Sequence, residues 1–198
     1  MPRADTRARV LRAAVTTLAA EGYGRTTARA IARTGGFAPG VIYYHFADLD
    51  DLLVATAQFT SDARLARYRA ELAGAASFAD VLERLRRLYA EDGAEGHIAA
   101  VQELVAAANS NPRLAEQVRV QTAVWQDFAA DTIEGLLAGT PLAEVIPVRE
   151  LATAAVAMYL GMELLSHLHA NRLGPEALFD ASQRFAPLLD SLRPDTDS

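Results

Sequence analysis

The chain has 198 residues and not one of them is cysteine. Disulfide staples and thiolate metal sites are thereby excluded, so stability must come from a packed core. Long apolar runs are missing too. The longest uncharged apolar stretch, Leu151 to Met162, is closed by Glu163, well short of the roughly eighteen residues that a membrane span needs. That stretch reads as a buried helix, and no membrane association is expected. The N-terminus carries arginines but no apolar core of a secretory signal, so the expected location is cytoplasmic. The marks of catalysis are equally scarce. The sequence holds no H-E-x-x-H and no phosphate loop, and His167 and His169 stand two apart, a spacing that points them away from each other on a helix. No catalytic residue, metal site or cofactor is expected. His97, Glu163, His167 and His169 read as polar surface or interface rather than as a metal cluster.

What is present is a globular balance, 51% hydrophobic and 22% charged residues, with a formal net charge of -6. The charge is unevenly spread. Residues 1–47 hold seven arginines (Arg3, Arg7, Arg9, Arg12, Arg25, Arg29, Arg33) against Asp5 and Glu21, so 7 minus 2 gives +5; the rest holds 12 arginines against 23 acids, giving -11. A basic head on an acidic body is expected where one module faces phosphate and the other does not.

Helical punctuation explains the head. Val10, Leu11, Ala14, Val15 and Leu18 recur at helical spacing after the possible caps Asp5 and Thr6, and the helix stops at Gly22. Thr26 or Thr27 offers an oxygen to the amides of a short second helix, about Ala28 to Thr34. The Gly35-Gly36 pair ends it, and Pro39 opens a third helix reaching about Phe46. Two short helices joined by a glycine turn and braced by a longer one are the geometry of a helix-turn-helix. Asp48 then looks like the cap of a long fourth helix reaching about Ala73, with Asp50 and Asp51 favouring its positive end. Further breaks near Gly74–Ser77, Asp92–Gly96, Asn109–Pro112, Gly139–Pro147 and Gly174–Pro175 separate five more helical segments, and no strand pattern occurs. The expected fold is all-α: an N-terminal three-helix helix-turn-helix domain (1–47) and a C-terminal helical domain (48–198), about nine helices in all.

The stretch GYGRTTARAIARTGGFAPGVIYYHF, Gly22 to Phe46, resembles the signature of the TetR family of regulators, approximately G-Y-x-x-T-T-x-x-x-I-A-x-x-A-G-V-S-x-G-x-L-Y-x-H-F. Matching positions are Gly22, Tyr23, Thr26, Thr27, Ile31, Ala32, Gly36, Gly40, Tyr43, His45 and Phe46. Three positions depart from the pattern. Ala38 replaces the serine that usually caps the third helix, Ala30 the acid that reciprocates the Thr27 cap, and Leu49 the lysine that often begins the fourth helix. The resemblance implies a ligand-responsive regulator, a repressor by family habit, that binds a double-stranded, pseudo-palindromic operator as a homodimer.

By that resemblance Thr27, Tyr43 and His45 donate to phosphate oxygens and fix register. The exposed face of the third helix, Pro39, Gly40, Val41 and Tyr44, faces the base edges, with Val41 suited to a thymine methyl. Arg29 reaches phosphate or the groove, and Arg3 and Arg7 act as an arm or clamp. Phe37, Ile42 and Phe46 read as core.

In the body, the helix from about Val148 to Asn171 is apolar nearly all round and is expected to bury two faces. In proteins of this type the last two helices pair with their copies, so Leu151, Val156, Leu160, Phe179, Phe185, Leu188 and Leu189 are candidates for dimerisation. Candidates for lining an effector pocket are Phe59, Tyr89, Gln102, Gln121, Trp125, Phe128, Met158, Tyr159 and Met162. Such a lining would take a small, mainly apolar effector, because no cluster of basic residues stands ready for a strongly anionic one. Two other readings stay open: a helical ligand-binding or interaction protein that has lost operator binding, and a single-domain activator with a constitutive dimer and no effector.

Overall fold

A computed structural model describes residues 3–168 and 175–192 of the chain, with side chains for residues 4–161 and 175–192. The described residues form nine α-helices and two short 3-10 turns, with no strand. The helices are α1 (Arg3–Glu21), α2 (Ala28–Gly35), α3 (Gly40–His45), α4 (Leu49–Leu72), α5 (Phe78–Ala94), α6 (His97–Ala108), α7 (Pro112–Leu137), α8 (Val148–Leu168) and α9 (Pro175–Asp190). The chain packs as two compact units: 1–64 with 91–121, and 65–90 with 122–198. This division by packing differs from the boundary at residues 47 and 48 expected from the sequence.

In the first unit the apolar faces of α1, α2 and α3 meet. Val10, Leu11, Ala14, Ile31, Ile42, Phe46 and Leu52 are 0–3% exposed and form one cluster. Each such Leu, Ile or Phe stabilises the fold by about 1.5–3 kcal/mol. A second cluster joins Val15 and Leu18 of α1 to Leu53 and Ala57 of α4, Ala100, Leu104 and Ala107 of α6 and Leu114 of α7. Leu49 packs against both clusters. That is the physical reason for an apolar residue where the family pattern has lysine: the start of α4 is wedged inward here.

The turn between α2 and α3 is held from both ends. Gly36 takes φ +64 at the end of α2, a conformation that favours glycine. The Phe37 N–H reaches back to the Ala32 carbonyl at 3.0 Å. Arg9 of α1 donates to the carbonyls of Gly35 (2.8 Å) and Gly36 (2.8 Å) while its guanidinium covers the Phe37 ring, 5.4 Å from the centroid. This arginine braces the turn.

In the second unit, Leu65 and Tyr68 of α4, Leu88 of α5 and Phe128 of α7 form a buried cluster with Trp125 against it. Asp190 of α9 accepts the Phe78 N–H at 2.6 Å and so caps α5. Arg86 of α5 pairs with Glu176 and Asp180 of α9.

Candidate nucleic-acid interface

The approach to α2 and its first turn present three exposed side chains, Arg25, Thr27 and Arg29, while Thr26, Ala28 and Ala30 are buried. Thr27 takes extended backbone at the cap position, and its Oγ1 accepts the Ala30 N–H at 3.1 Å. The cap therefore holds without the reciprocal acid that Ala30 replaces. A hydroxyl that caps by accepting still has its own proton to donate, which suits it to a phosphate oxygen. Among the described residues Arg12, Arg25 and Arg29 have no carboxylate partner, whereas Arg33 pairs with Glu21 at 2.7 Å. The sequence places Arg25 only in the basic cluster; its position two residues before the cap threonine is the signal that sets it beside Thr27.

Helix α3 is six residues long, and its first-turn amides find only backbone partners. The Val41 N–H bonds the Ala38 carbonyl at 2.9 Å and the Ile42 N–H bonds the Pro39 carbonyl at 3.1 Å, with no side-chain cap. The loss expected from Ala38 is thus real, at about 1 kcal/mol. What holds α3 instead is Ile42, fully buried, and Phe46 just beyond its end. The opposite face carries Tyr43 at 57% and Tyr44 at 66% exposure, beside exposed Pro39 and Gly40. Val41 is half-buried against the first core cluster. His45 is half-buried too, its ring at 5.0 Å from that of Tyr44 and 6.4 Å from that of Phe46. Arg7 lies over the Phe46 ring at 5.1 Å. The Arg3 side chain falls outside the described ones. Phe37, expected in the core, is only half-buried, because it closes the α2–α3 turn under Arg9.

The exit from α3 is polar. Asp48 accepts the Asp51 N–H at 2.7 Å, and Asp51 accepts the Ala47 N–H at 3.0 Å, so the two carboxylates cap α4 reciprocally. Arg113 of α7 sits 3.1 Å from Asp48. The Asp51 N–H, followed by Arg113, holds the Asp48 carboxyl below its ordinary range.

The candidate effector residues fall into both units. Phe59, Gln102 and Gln121 belong to the first; all three are half-buried, and the Gln121 Oε1 is buried with no hydrogen-bond partner among the described residues. Tyr89, Trp125, Phe128, Met158 and Tyr159 belong to the second. There Trp125 stands edge-on to Tyr68 (5.2 Å) and Phe128 (5.8 Å), and Tyr89 contacts Tyr159 (6.0 Å) and Phe179 (5.9 Å). Met158 is 49% exposed, and the Met162 side chain lies outside the described ones. Of the dimerisation candidates, Leu151, Phe185 and Leu188 are exposed; Val156, Leu160 and Leu189 are half-buried, and Phe179 is half-buried against Tyr89. Among the described residues no cluster of His, Asp or Glu is arranged to hold a metal ion, and no described helix is long and apolar enough to cross a membrane. His97 instead bonds Thr60 at 2.5 Å, and His167, His169 and Glu163 fall outside the described side chains.

The sequence reading also missed a buried ion pair. Arg64 Nε of α4 donates to Asp92 Oδ2 of α5 at 2.5 Å, with the two side chains 5% and 0% exposed.

Comparison with known proteins adds three findings. Residues 10–56 match the family model described as bacterial regulatory proteins, tetR family. The HTH-type transcriptional regulator UidR of Escherichia coli is 26% identical over 175 residues, 88% of this chain and 87% of UidR. Among solved structures, a TetR-family transcriptional regulator from Rhodococcus sp. superposes with a TM-score of 0.75 at 24% identity, over 96% of this chain and 100% of that one. The regulator FadR from Bacillus subtilis, solved with stearoyl-CoA, gives 0.72 at 20% identity, over 93% and 97%.

Proposed function

Since this chain belongs to the TetR family of bacterial transcriptional regulators, which bind DNA through the helix-turn-helix of their first domain and are not enzymes, we propose that it is a repressor released from a pseudo-palindromic operator by a small, mainly apolar effector. It acts in the cytoplasm, as a homodimer whose heads are residues 1–47 and whose sensing and pairing body is residues 48–198.

One observation carries the reading. Two adjacent tyrosines, Tyr43 and Tyr44, stand out to solvent from a helix locked by a fully buried Ile42. Exposing two aromatic rings on a rigid six-residue helix forgoes apolar burial, whereas against DNA the hydroxyl of Tyr43 meets phosphate and the ring of Tyr44 meets the groove. Thr27, Arg29 and His45 add backbone contacts, and Pro39, Gly40 and Val41 let the helix approach the bases. Readout by hydrogen bonds to bases is sparse on this face, so affinity leans on phosphate and on doubling the head. Linking two heads raises the effective concentration of the second at a two-fold site. The exposed Leu151, Phe185 and Leu188 on α8 and α9 supply the apolar surface for that pairing.

The effector reading rests on aromatic and amide side chains without a basic cluster. Gln121 supports it, because a buried carbonyl oxygen without a partner costs about 1–3 kcal/mol and is relieved by a ligand donor. FadR of Bacillus subtilis was solved with stearoyl-CoA, whose acyl chain is apolar and whose CoA part is anionic, so it supports the apolar part of the reading alone. The experiment is selection of random-sequence duplex DNA by the purified protein, with binding of the enriched pool by wild type, Tyr43→Phe and Arg29→Ala followed against salt. An enriched palindrome bound more weakly by both variants supports the reading. No enrichment at low salt overturns it and leaves a sensor or interaction protein.

A further inference from the structure

The turn that aims α2 has no cap of its own. Gly22 occupies the cap position of the 3-10 turn Tyr23–Arg25 and has no side chain to offer. The acceptor comes from far along the chain: Glu103 Oε2, on α6, takes the Tyr23 N–H at 2.6 Å across a separation of 80 residues. Gly22 holds φ +77, and a Cβ added there would come within 3.2 Å of the same carboxylate oxygen, so both its conformation and its bareness admit Glu103. The rest of the turn is closed locally. The Thr26 hydroxyl donates to the Gly22 carbonyl at 2.7 Å and the Thr26 N–H to the Tyr23 carbonyl at 3.0 Å. Thr26 is buried, and the next residue is the cap of α2. Glu103 itself is held in place, since Ala100, Leu104 and Ala107 on its helix pack against Val15 and Leu18 of α1.

We propose that Glu103 is a positioning residue for DNA binding: by capping the Tyr23 turn from α6 it fixes where the start of α2 presents Arg25, Thr27 and Arg29 to phosphate. A carboxylate near a phosphate-binding surface is electrostatically unfavourable for that surface, so its presence needs a return. The return is geometric, because a charge-assisted hydrogen bond to a backbone N–H is short and directional. Helix α6 belongs to the segment read as sensing body, so a shift of α6 carries this cap with it. The inference rests on the phosphate roles given above for α2.

The test uses the full chain and a fluorescein-labelled mixed-sequence duplex at low salt, with Glu103→Gln, Glu103→Asp and Glu103→Ala beside wild type. Gln keeps an acceptor oxygen at the same reach and is expected to bind within about threefold of wild type. Asp keeps the charge but is one methylene shorter, and it is expected to lose about tenfold or more, as Ala does. The slope of log affinity against log salt should fall by about 0.9 for each phosphate that Asp and Ala no longer neutralise, a change that lowered stability alone would not produce. Hydrogen exchange of the Tyr23 amide should be slow in wild type and Gln and fast in Asp; this measurement decides the matter even if Ala fails to fold. Asp or Ala binding as tightly as wild type overturns the proposal, as does Gln binding as weakly as Asp, or a Tyr23 amide that exchanges fast in wild type. Wild type failing to bind the duplex at all overturns instead the phosphate reading beneath it.

Discussion

Thr27 caps α2 and is proposed to donate to phosphate, two roles that one substitution can separate. Its Oγ1 accepts the Ala30 N–H at 3.1 Å and so caps α2, and its proton is assigned to a phosphate oxygen. Replacing it by aspartate keeps an acceptor at the cap and places a negative charge at the positive end of the helix, which stabilises by about 0.3–1 kcal/mol. The same change removes the donor and sets a carboxylate against phosphate. A hydrogen bond to a charged group contributes about 1.5–3 kcal/mol, so each head loses on the order of tenfold to a hundredfold in affinity before repulsion is added. Thr27→Val, of similar shape but without hydroxyl, should lose both functions: about 1 kcal/mol of stability and the same DNA contact. For a chain of this size 1 kcal/mol is about 2–4 °C in Tm. Thermal unfolding by circular dichroism at fixed protein concentration, beside duplex binding by anisotropy, reads both. The expected pattern is Thr27→Ser near wild type in both assays, Thr27→Val weaker in both, and Thr27→Asp as stable as wild type yet unable to bind. Thr27→Asp binding DNA within threefold of wild type would refute the donor role.

Other consequences are equally direct. The Arg64–Asp92 pair is buried at both ends, so Asp92→Ala, which breaks it from one side, should cost about 3–5 kcal/mol, while Arg64→Met with Asp92→Leu should recover most of it; a double variant as unstable as the single one would contradict this, by urea unfolding. Asp48 has a folded-state pKa below its unfolded value, so its stabilising effect is present above about pH 4 and is lost as the pH falls through the folded value. Asp48→Asn should therefore flatten the acid limb of a stability-versus-pH curve, and an unchanged limb would argue against it. Phe185→Asp, on the exposed face of α9, should convert a dimer to monomer in sedimentation and weaken operator binding by more than it weakens binding of a single half-site.

The head was legible because its determinants are local. The Thr27 cap reaches three residues, the Gly36 turn closes over four or five, and Asp48 caps the amide three residues on. Each leaves a mark in a short window of sequence, and apolar spacing supplies the rest. What the sequence did not show are pairings between distant segments. Arg64 with Asp92, Tyr23 with Glu103 and Asp48 with Arg113 are separated by 28, 80 and 65 residues. Nothing near either partner announces the other. The body suffers most from this, since an aromatic residue such as Trp125 reads alike whether it walls a cavity or packs edge-on against Tyr68 and Phe128, as it does here.

The same distinction changes what the basic head means. Seven arginines in residues 1–47 invite the inference that all of them face phosphate, but their geometry assigns them to different work. Arg9 is committed to the Gly35 and Gly36 carbonyls, Arg33 to Glu21, and Arg7 lies on the Phe46 ring. Those three still contribute to the positive field that steers DNA inward, because a guanidinium keeps its charge when hydrogen-bonded. Arg9 is poorly placed to follow a phosphate at close range without releasing the α2–α3 turn, whereas Arg7 and Arg33 are exposed. Neutralising Arg9 should therefore act through the fold, whereas neutralising Arg25 or Arg29 should leave stability nearly unchanged and lower the salt dependence of binding. Net charge counts both kinds of arginine alike; only the carbonyls and carboxylates around each one tell them apart.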